Sequence, residues 1–247
     1  MKSSLLTSLL MLVFFMVYSQ TDAIETTIGT VYIRPIVHGT VAFEVNDLTI
    51  YVDPYGGADK FQQLNDPDLV LITDIHGDHL NIETLEGLNL ENTDFIVPQS
   101  VAEKLPDTYK QNTIVLNNGI ETIWKEITIR AIPMYNLPED EKSRHTKGRG
   151  NGYLMTIGGK TIYLSGDTSD IPEMRQLTQI DVAFVCMNLP YTMSVDQAAD
   201  AVIEFKPNIV YPYHYRGQGG LSDVDRFKSL VNQSATEVEV RLRNWYE

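Results

Sequence analysis

Apolar positions along this chain fall into two similar series, each made of strand patterns first and of alternating strand and helix patterns afterwards. In the first series, residues 30–36 and Thr40–Val45 are rich in β-branched and aromatic residues and are separated by His38-Gly39. Leu48–Val52 follows the turn pair Asn46-Asp47, which predicts a hairpin. Leu69, Val70, Leu71 and Ile72 form an unbroken apolar run, too short for a helix, that reads as a buried strand. Asn81 then stands as an N-cap, with Glu83 and Glu86 in the opening turns of a helix. Further strands are predicted at Asp94–Val97, 113–116 and Ile127–Met134, with short helices between them, one beginning near Ser100.

The second series begins near Gly152. Residues 153–157 and 161–165 flank Gly158-Gly159, a hairpin pattern. A short helix at 172–177 precedes a buried strand at 180–186. Ser194 with Gln197 makes a capping box, and Val195, Ala198, Ala199 and Val202 give the following helix one apolar face. A strand at 208–213, a helix at 222–231 and a last strand at 237–242 complete the series. The pattern predicts an α/β fold in which two sheets pack together with helices outside.

Composition sharpens this in three places. With 247 residues and 43% hydrophobic content, the chain can bury one sizeable core, and residues 24–247 read as a single domain without repeats. The formal net charge of −14 argues against nucleic acid or an anionic membrane as partner, since both need a positive field. Residues 1–23 read as a secretory signal peptide: Lys2, an apolar run from Leu5 to Tyr18 broken only by Thr7 and Ser8, then Ser19-Gln20-Thr21-Asp22-Ala23. That run falls short of the ~20 residues a membrane span requires. The expected location is therefore periplasmic or secreted, with no membrane attachment after cleavage. The only cysteine, Cys186, lies in an apolar run and reads as a buried small hydrophobe. Nothing in the sequence specifies an oligomeric state.

The chemistry collects where strands are expected to end. Asp74-Ile75-His76-Gly77-Asp78-His79 occupies the turn between the strand ending at Ile72 and the helix capped by Asn81. Imidazole nitrogens and carboxylate oxygens are ligands for zinc and similar ions, and two of the chain's five histidines sit in this one turn. Asp167, in Ser165-Gly166-Asp167-Thr168, follows another strand, where a carboxylate can serve two ions at once. His214 follows the strand at 208–213. Asp53 ends the hairpin strand, and its expected role is to hold a metal ligand or the loop by hydrogen bonding. Lys142, Arg144, Lys147 and Arg149 lie among Gly148, Gly150 and Gly152 and form a candidate anion-binding lip, in which Arg144 or Arg149 grips a carboxylate or phosphate. No Gly-x-Ser-x-Gly elbow competes with a metal-based reading.

The order Asp53, Asp74-x-His76-x-Asp78-His79, Asp167, His214 resembles the metallo-β-lactamase superfamily over nearly the whole chain after the leader. The stretches 35–39 and 50–54 are similar to the branch containing L-ascorbate-6-phosphate lactonase-like proteins and uncharacterised metal-dependent hydrolases. The resemblance implies a four-layer αβ/βα sandwich with one or two divalent ions at the sheet edges, zinc first and manganese or iron as alternatives. It also implies a metal-dependent hydrolase that directs a metal-bound hydroxide at a small anionic ester, lactone or amide-like substrate. A phosphodiesterase and a non-catalytic metal-dependent binding module are the alternatives. His38 matches a histidine of that branch and is expected to line the site. Two positions depart from the superfamily pattern: Asp74 stands where its first histidine falls, and Met134-Tyr135-Asn136 where its third does. Asn136 through its amide oxygen, or His145 from the loop, is the expected substitute. The first metal site then comprises Asp74 and His76 with one of these, and the second Asp78, His79, Asp167 and His214. Asp78 is also the expected catalytic residue, taking the proton of the attacking water.

Overall fold

The computed structural model describes residues 20–246, so the expected leader lies outside the described residues except for its end. Among the described residues, β1 (Asp22–Thr26), β2 (Gly29–Val37), β3 (Thr40–Val45) and β4 (Leu48–Val52) form an antiparallel meander. β5 (Leu69–Leu71), β6 (Asp94–Val97) and β7 (Thr113–Val115) extend the same sheet in parallel. Tight turns can join only antiparallel neighbours, so the parallel strands are linked through α1 (Ile82–Gly87), α2 (Gln99–Ala102) and α3 (Asp107–Lys110). Asn81 caps α1 as expected, its side chain accepting from the Thr84 backbone N–H at 2.9 Å.

The second half repeats the plan. β8 (Glu121–Trp124), β9 (Ile127–Met134), β10 (Gly150–Ile157) and β11 (Lys160–Leu164) are antiparallel. After α4 (Pro172–Arg175), β12 (Val182–Cys186) runs parallel to β11. α5 (Val195–Phe205), opened by the Ser194–Gln197 capping box, leads to β13 (Ile209–Tyr213). A small hairpin of β14 (Arg216–Gly217) and β15 (Gly220–Leu221) precedes α6 (Val224–Ser234) and the parallel strand β16 (Glu239–Val240).

Among the described residues, each main sheet has seven strands. Their inner faces meet in one core, where Ile50, Val52, Leu69 and Leu71 pack with Ile127, Ile129, Tyr153 and Leu164. The alternate residues Tyr51, Val70 and Ile72 point outward beneath α1 and α2, beside Leu85 and Val101. α5 and α6 cover the outer face of the second sheet with Ala198, Val202, Phe227 and Val231. The result is an αβ/βα sandwich.

Besides the small β14–β15 hairpin, two strands of the main sheets lie outside the sequence expectation, β1 and β8, each at the edge of its sheet. Both expose one face, so their apolar pattern is thin. α6 starts later than expected because Asp223, and not Ser222, caps it by accepting from the Arg226 N–H at 2.8 Å. The last strand shrinks from 237–242 to Glu239–Val240. Among the described residues, no helix is long and apolar enough to cross a membrane.

The strand directions place the chemistry. β2, β4, β5, β9, β11 and β13 end at the same rim of the two sheets, and the segments that follow them carry His38, Asp53, Asp74–His79, the loop with His145, Asp167 and His214.

Candidate metal centre

The site is built outward from Asp53, which ends β4 in a left-handed conformation (φ 46°). Its carboxylate accepts from the Thr73 backbone N–H at 2.7 Å and from the Thr73 hydroxyl at 2.6 Å, and lies 2.7 Å from His79 Nδ1. Asp53 therefore fixes the His79 ring and leaves Nε2 facing the other way, 3.5 Å from Asp167 Oδ2. Burial opposes charge on His79, yet Asp53 and Asp167 on its two sides push its pKa well above the ordinary value.

Among the described residues, three groups of ligand atoms converge. Asp74, His76 and His145 form one: His76 Nδ1 touches Asp74 Oδ2, and His145 Nε2 lies 3.9 Å from the same oxygen. His79, Asp167 and His214 form the second, with His214 Nε2 3.5 Å from Asp167 Oδ1. Asp167 stands between them, because its Oδ2 is also 3.3 Å from His145 Nε2. Burial pushes the Asp167 carboxyl up, but His214, His79 and His145 around it hold it well below the usual range. In the third group, Asp78 Oδ2 lies 3.4 Å from His214 Nε2 and 3.2 Å from His38 Nε2. Burial also raises Asp78, and the close approach of His214 with the hydrogen bond from His38 more than reverses it, so this carboxyl stays ionised.

His79 Nε2, His145 Nε2, Asp167 Oδ1 and His214 Nε2 are buried and have no hydrogen-bond partner. Buried nitrogen and oxygen acceptors left bare and aimed at a shared point are costly unless a cation takes their lone pairs. The donor set therefore fits a divalent ion, and Asp167 is placed to serve two.

Comparison with known proteins agrees. The family model described as Beta-lactamase superfamily domain matches residues 32–214. The chain belongs to the metallo-β-lactamase superfamily. A UPF0173 metal-dependent hydrolase of Pyrococcus horikoshii is 31% identical over 200 residues, covering 76% of this chain and 87% of that protein. A solved structure from Parabacteroides distasonis, assigned as a metal-dependent hydrolase, is 34% identical with a TM-score of 0.81, covering 92% of this chain and 99% of that one. A metallo hydrolase from Ignicoccus hospitalis is 25% identical with a TM-score of 0.73, covering 88% and 96%.

At the two departures from the superfamily pattern, the structure brings in His145 and keeps Asn136 away from the ligand groups. Asn136 Oδ1 accepts from the His145 backbone N–H at 2.9 Å, and its Nδ2 donates to the Tyr191 carbonyl at 2.8 Å. Both ends of the amide are thus spent on pinning the loop that delivers His145. Asp74, at the other departure, faces Arg149, whose Nε and Nη2 each donate to it at 3.1 Å. Arg149 was expected at the anion-binding lip; bidentate pairing instead commits it to Asp74, a buried carboxylate that needs a counter-charge.

A cavity of about 230 Å³ opens over this floor, lined by His38, His76, Asp78 and Asp167 with Arg144, Asn188, Tyr191 and Arg216. Arg144 was expected there. Asn188 and Arg216 were not, since one comes from a loop and the other from the two-residue strand β14, neither with a local sequence signal. Tyr246 was also missed: its Oη accepts from the Arg216 backbone N–H at 2.9 Å and lies 2.8 Å from His38 Nδ1. His38 is further held by its N–H to the Trp245 carbonyl at 3.0 Å, and its ring packs on His214 at 3.8 Å between centroids. Gly39 leaves room for this superfamily site, as a Cβ there would stand 2.8 Å from His214 Cδ2.

Proposed function

We propose that this metal-dependent hydrolase cleaves a small anionic ester, lactone or amide-like molecule with one or two divalent ions, zinc in the first instance. The observation that carries this reading is the convergence of bare, buried ligand atoms beneath a cavity of about 230 Å³, a size that suits a small molecule. Asp74, His76 and His145 would hold one ion, and His79, Asp167 and His214 the other. A divalent ion there supplies Lewis acidity and lowers the pKa of a water it binds. Asp78 lines the cavity, is kept ionised by His38 and His214, and is positioned to accept a proton from an attacking water. His38, whose pKa burial pulls down, presents a neutral ring to Asp78 and orients it. The anion on the substrate answers the cationic side chains at the cavity mouth, and the −14 net charge disfavours long nucleic acids in this role.

The test is metal analysis of protein purified without chelator, followed by assay against lactones, esters, phosphodiesters and β-lactams. At least one ion per chain and turnover of a carbonyl substrate are expected. His79→Ala and Asp167→Ala should abolish that turnover while a cooperative melting transition persists. A stoichiometry below one ion per chain overturns the metal reading. Metal without turnover of any substrate favours a binding module.

A further inference from the structure

The arginines of this chain divide into two kinds. Arg34, Arg149, Arg175, Arg226, Arg241 and Arg243 each meet a carboxylate. Arg130, Arg144 and Arg216 make no ion pair among the described residues, although acidic residues outnumber basic ones by 33 to 19. Of these three, Arg144 and Arg216 line the cavity above the metal floor. Each sits over a ring: the Arg144 guanidinium carbon is 4.6 Å from the Tyr191 centroid, and that of Arg216 is 4.3 Å from the Tyr246 centroid. An aromatic ring holds a guanidinium without a hydrogen-bond acceptor, and neither side chain donates a hydrogen bond among the described residues, so their N–H donors are available.

The supports under both side chains are fixed. The Tyr191 carbonyl accepts from Asn136 Nδ2, the same amide that pins His145. The Tyr246 hydroxyl is tied to the Arg216 backbone and to His38. The β14–β15 hairpin carrying Arg216 is seated on the loop that carries Tyr191, since a Cβ on Gly217 would stand only 2.0 Å from the Leu189 carbonyl. Asn188, which is 2% exposed, adds a third donor. Its Oδ1 accepts from the Thr192 hydroxyl, which leaves its NH2 for the cavity.

We propose that Arg144, Arg216 and the Asn188 amide form a subsite for an oxyanion, a carboxylate or a phosphate, carried by the substrate away from the bond that is cut. The subsite rests on the hydrolase reading for its purpose and on its own geometry for its existence. Two planar forks suit the oxygens of either group, and holding that end of the molecule orients the other over Asp78 and the metal floor. Arg149, the other arginine expected at this lip, takes no part because Asp74 occupies it.

The experiment is calorimetric titration of the metal-loaded protein with two probes, inorganic phosphate and succinate. It is run on the wild type, on Arg144→Gln, on Arg216→Gln and on the double variant. Arg226→Gln, a surface arginine outside the cavity, serves as control, and metal content is measured for each. The expected result is at least one probe whose Kd rises about tenfold in each single variant and further in the double variant. Metal content and the Arg226→Gln affinity should not change. The probe that loses more affinity tells phosphate from carboxylate recognition. Unchanged affinity in the double variant, or binding of neither probe to the wild type, overturns the subsite. Hydrolysis and metal binding that survive such a result leave the hydrolase reading standing. Arginine-dependent anion binding in a protein with no hydrolytic activity would overturn that reading and spare the subsite.

Discussion

Asp53 belongs to none of the ligand groups, yet it sets the orientation of His79 through a 2.7 Å contact with Nδ1 while Thr73 satisfies its remaining lone pairs. Asp53→Asn keeps the shape and removes the charge behind the ligand. Metal affinity measured by chelator competition should fall about 10- to 100-fold, with the fold retained. Cys186 is the opposite case, a group with chemistry available but no access to it. Burial pushes its thiol up to about 11, so it stays protonated through neutral pH. A disulfide exchange reagent at pH 8 should leave native protein unmodified and label one thiol per chain after unfolding; fast labelling of the native form would contradict this burial. The turn from Asp74 to His79 was legible in the sequence because four candidate ligands, two aspartates and two histidines, fall within six residues. His145 was legible only as an alternative, since a loop bends it back to the site through the Asn136 amide and no periodicity records such a bend.

At the scale of elements, three strands end in residues with left-handed backbones: β2 before His38, β4 before Asp53 and β13 before His214, with φ of 57°, 46° and 46°. Non-glycine residues adopt this conformation at a cost, and here it turns three side chains inward at the same rim. The segment after β16 completes the arrangement. With Tyr246 Oη accepting from Arg216, its own proton is directed at His38 Nδ1, which leaves Nε2–H for Asp78. Tyr246→Phe deletes one hydrogen bond, worth about 0.5–1.5 kcal/mol. The expected outcome is a fall in kcat of about 2- to 10-fold at unchanged metal content, and a change in metal content alone would argue against an orienting role. The interior strands were readable because both faces are apolar. β1 and β8 were not, because an edge strand with one wet face offers few apolar positions to recognise.

At the scale of the whole molecule, the site lies where the rims of the two sheets meet, so ligands from both halves share it: His79 from the first, Asp167 and His214 from the second. An ion bound there cross-links the halves. At a free concentration 100-fold above its Kd, a ligand specific for the native state adds about 2.7 kcal/mol. For a domain of this size a chelator should therefore lower Tm by roughly 5–10 °C, as read by calorimetry. A Tm indifferent to chelator would mean that the ligands are not occupied in solution. The two-sheet architecture was legible because the same order of strand and helix patterns occurs twice. The way the halves meet was not, since it depends on contacts such as Phe43 against Phe184, far apart in the chain.

We propose that the edge strand β1 constrains where the leader expected at residues 1–23 is cut. Asp22, in β1, receives both Nε and Nη2 of Arg243 at 2.9 and 2.5 Å, and Gln20 Oε1 accepts from the Asn244 backbone N–H at 2.6 Å. These residues lead directly into Trp245 and Tyr246, and so to His38. A signal peptidase acting anywhere between Ser19 and Ala23 would thus choose more than a leaving segment. A cut on the far side of Asp22 would discard the anion that anchors the tail behind the site. Intact-mass measurement of exported protein should find a new amino terminus at or before Asp22. A terminus beyond it would show that the tail holds without this clasp.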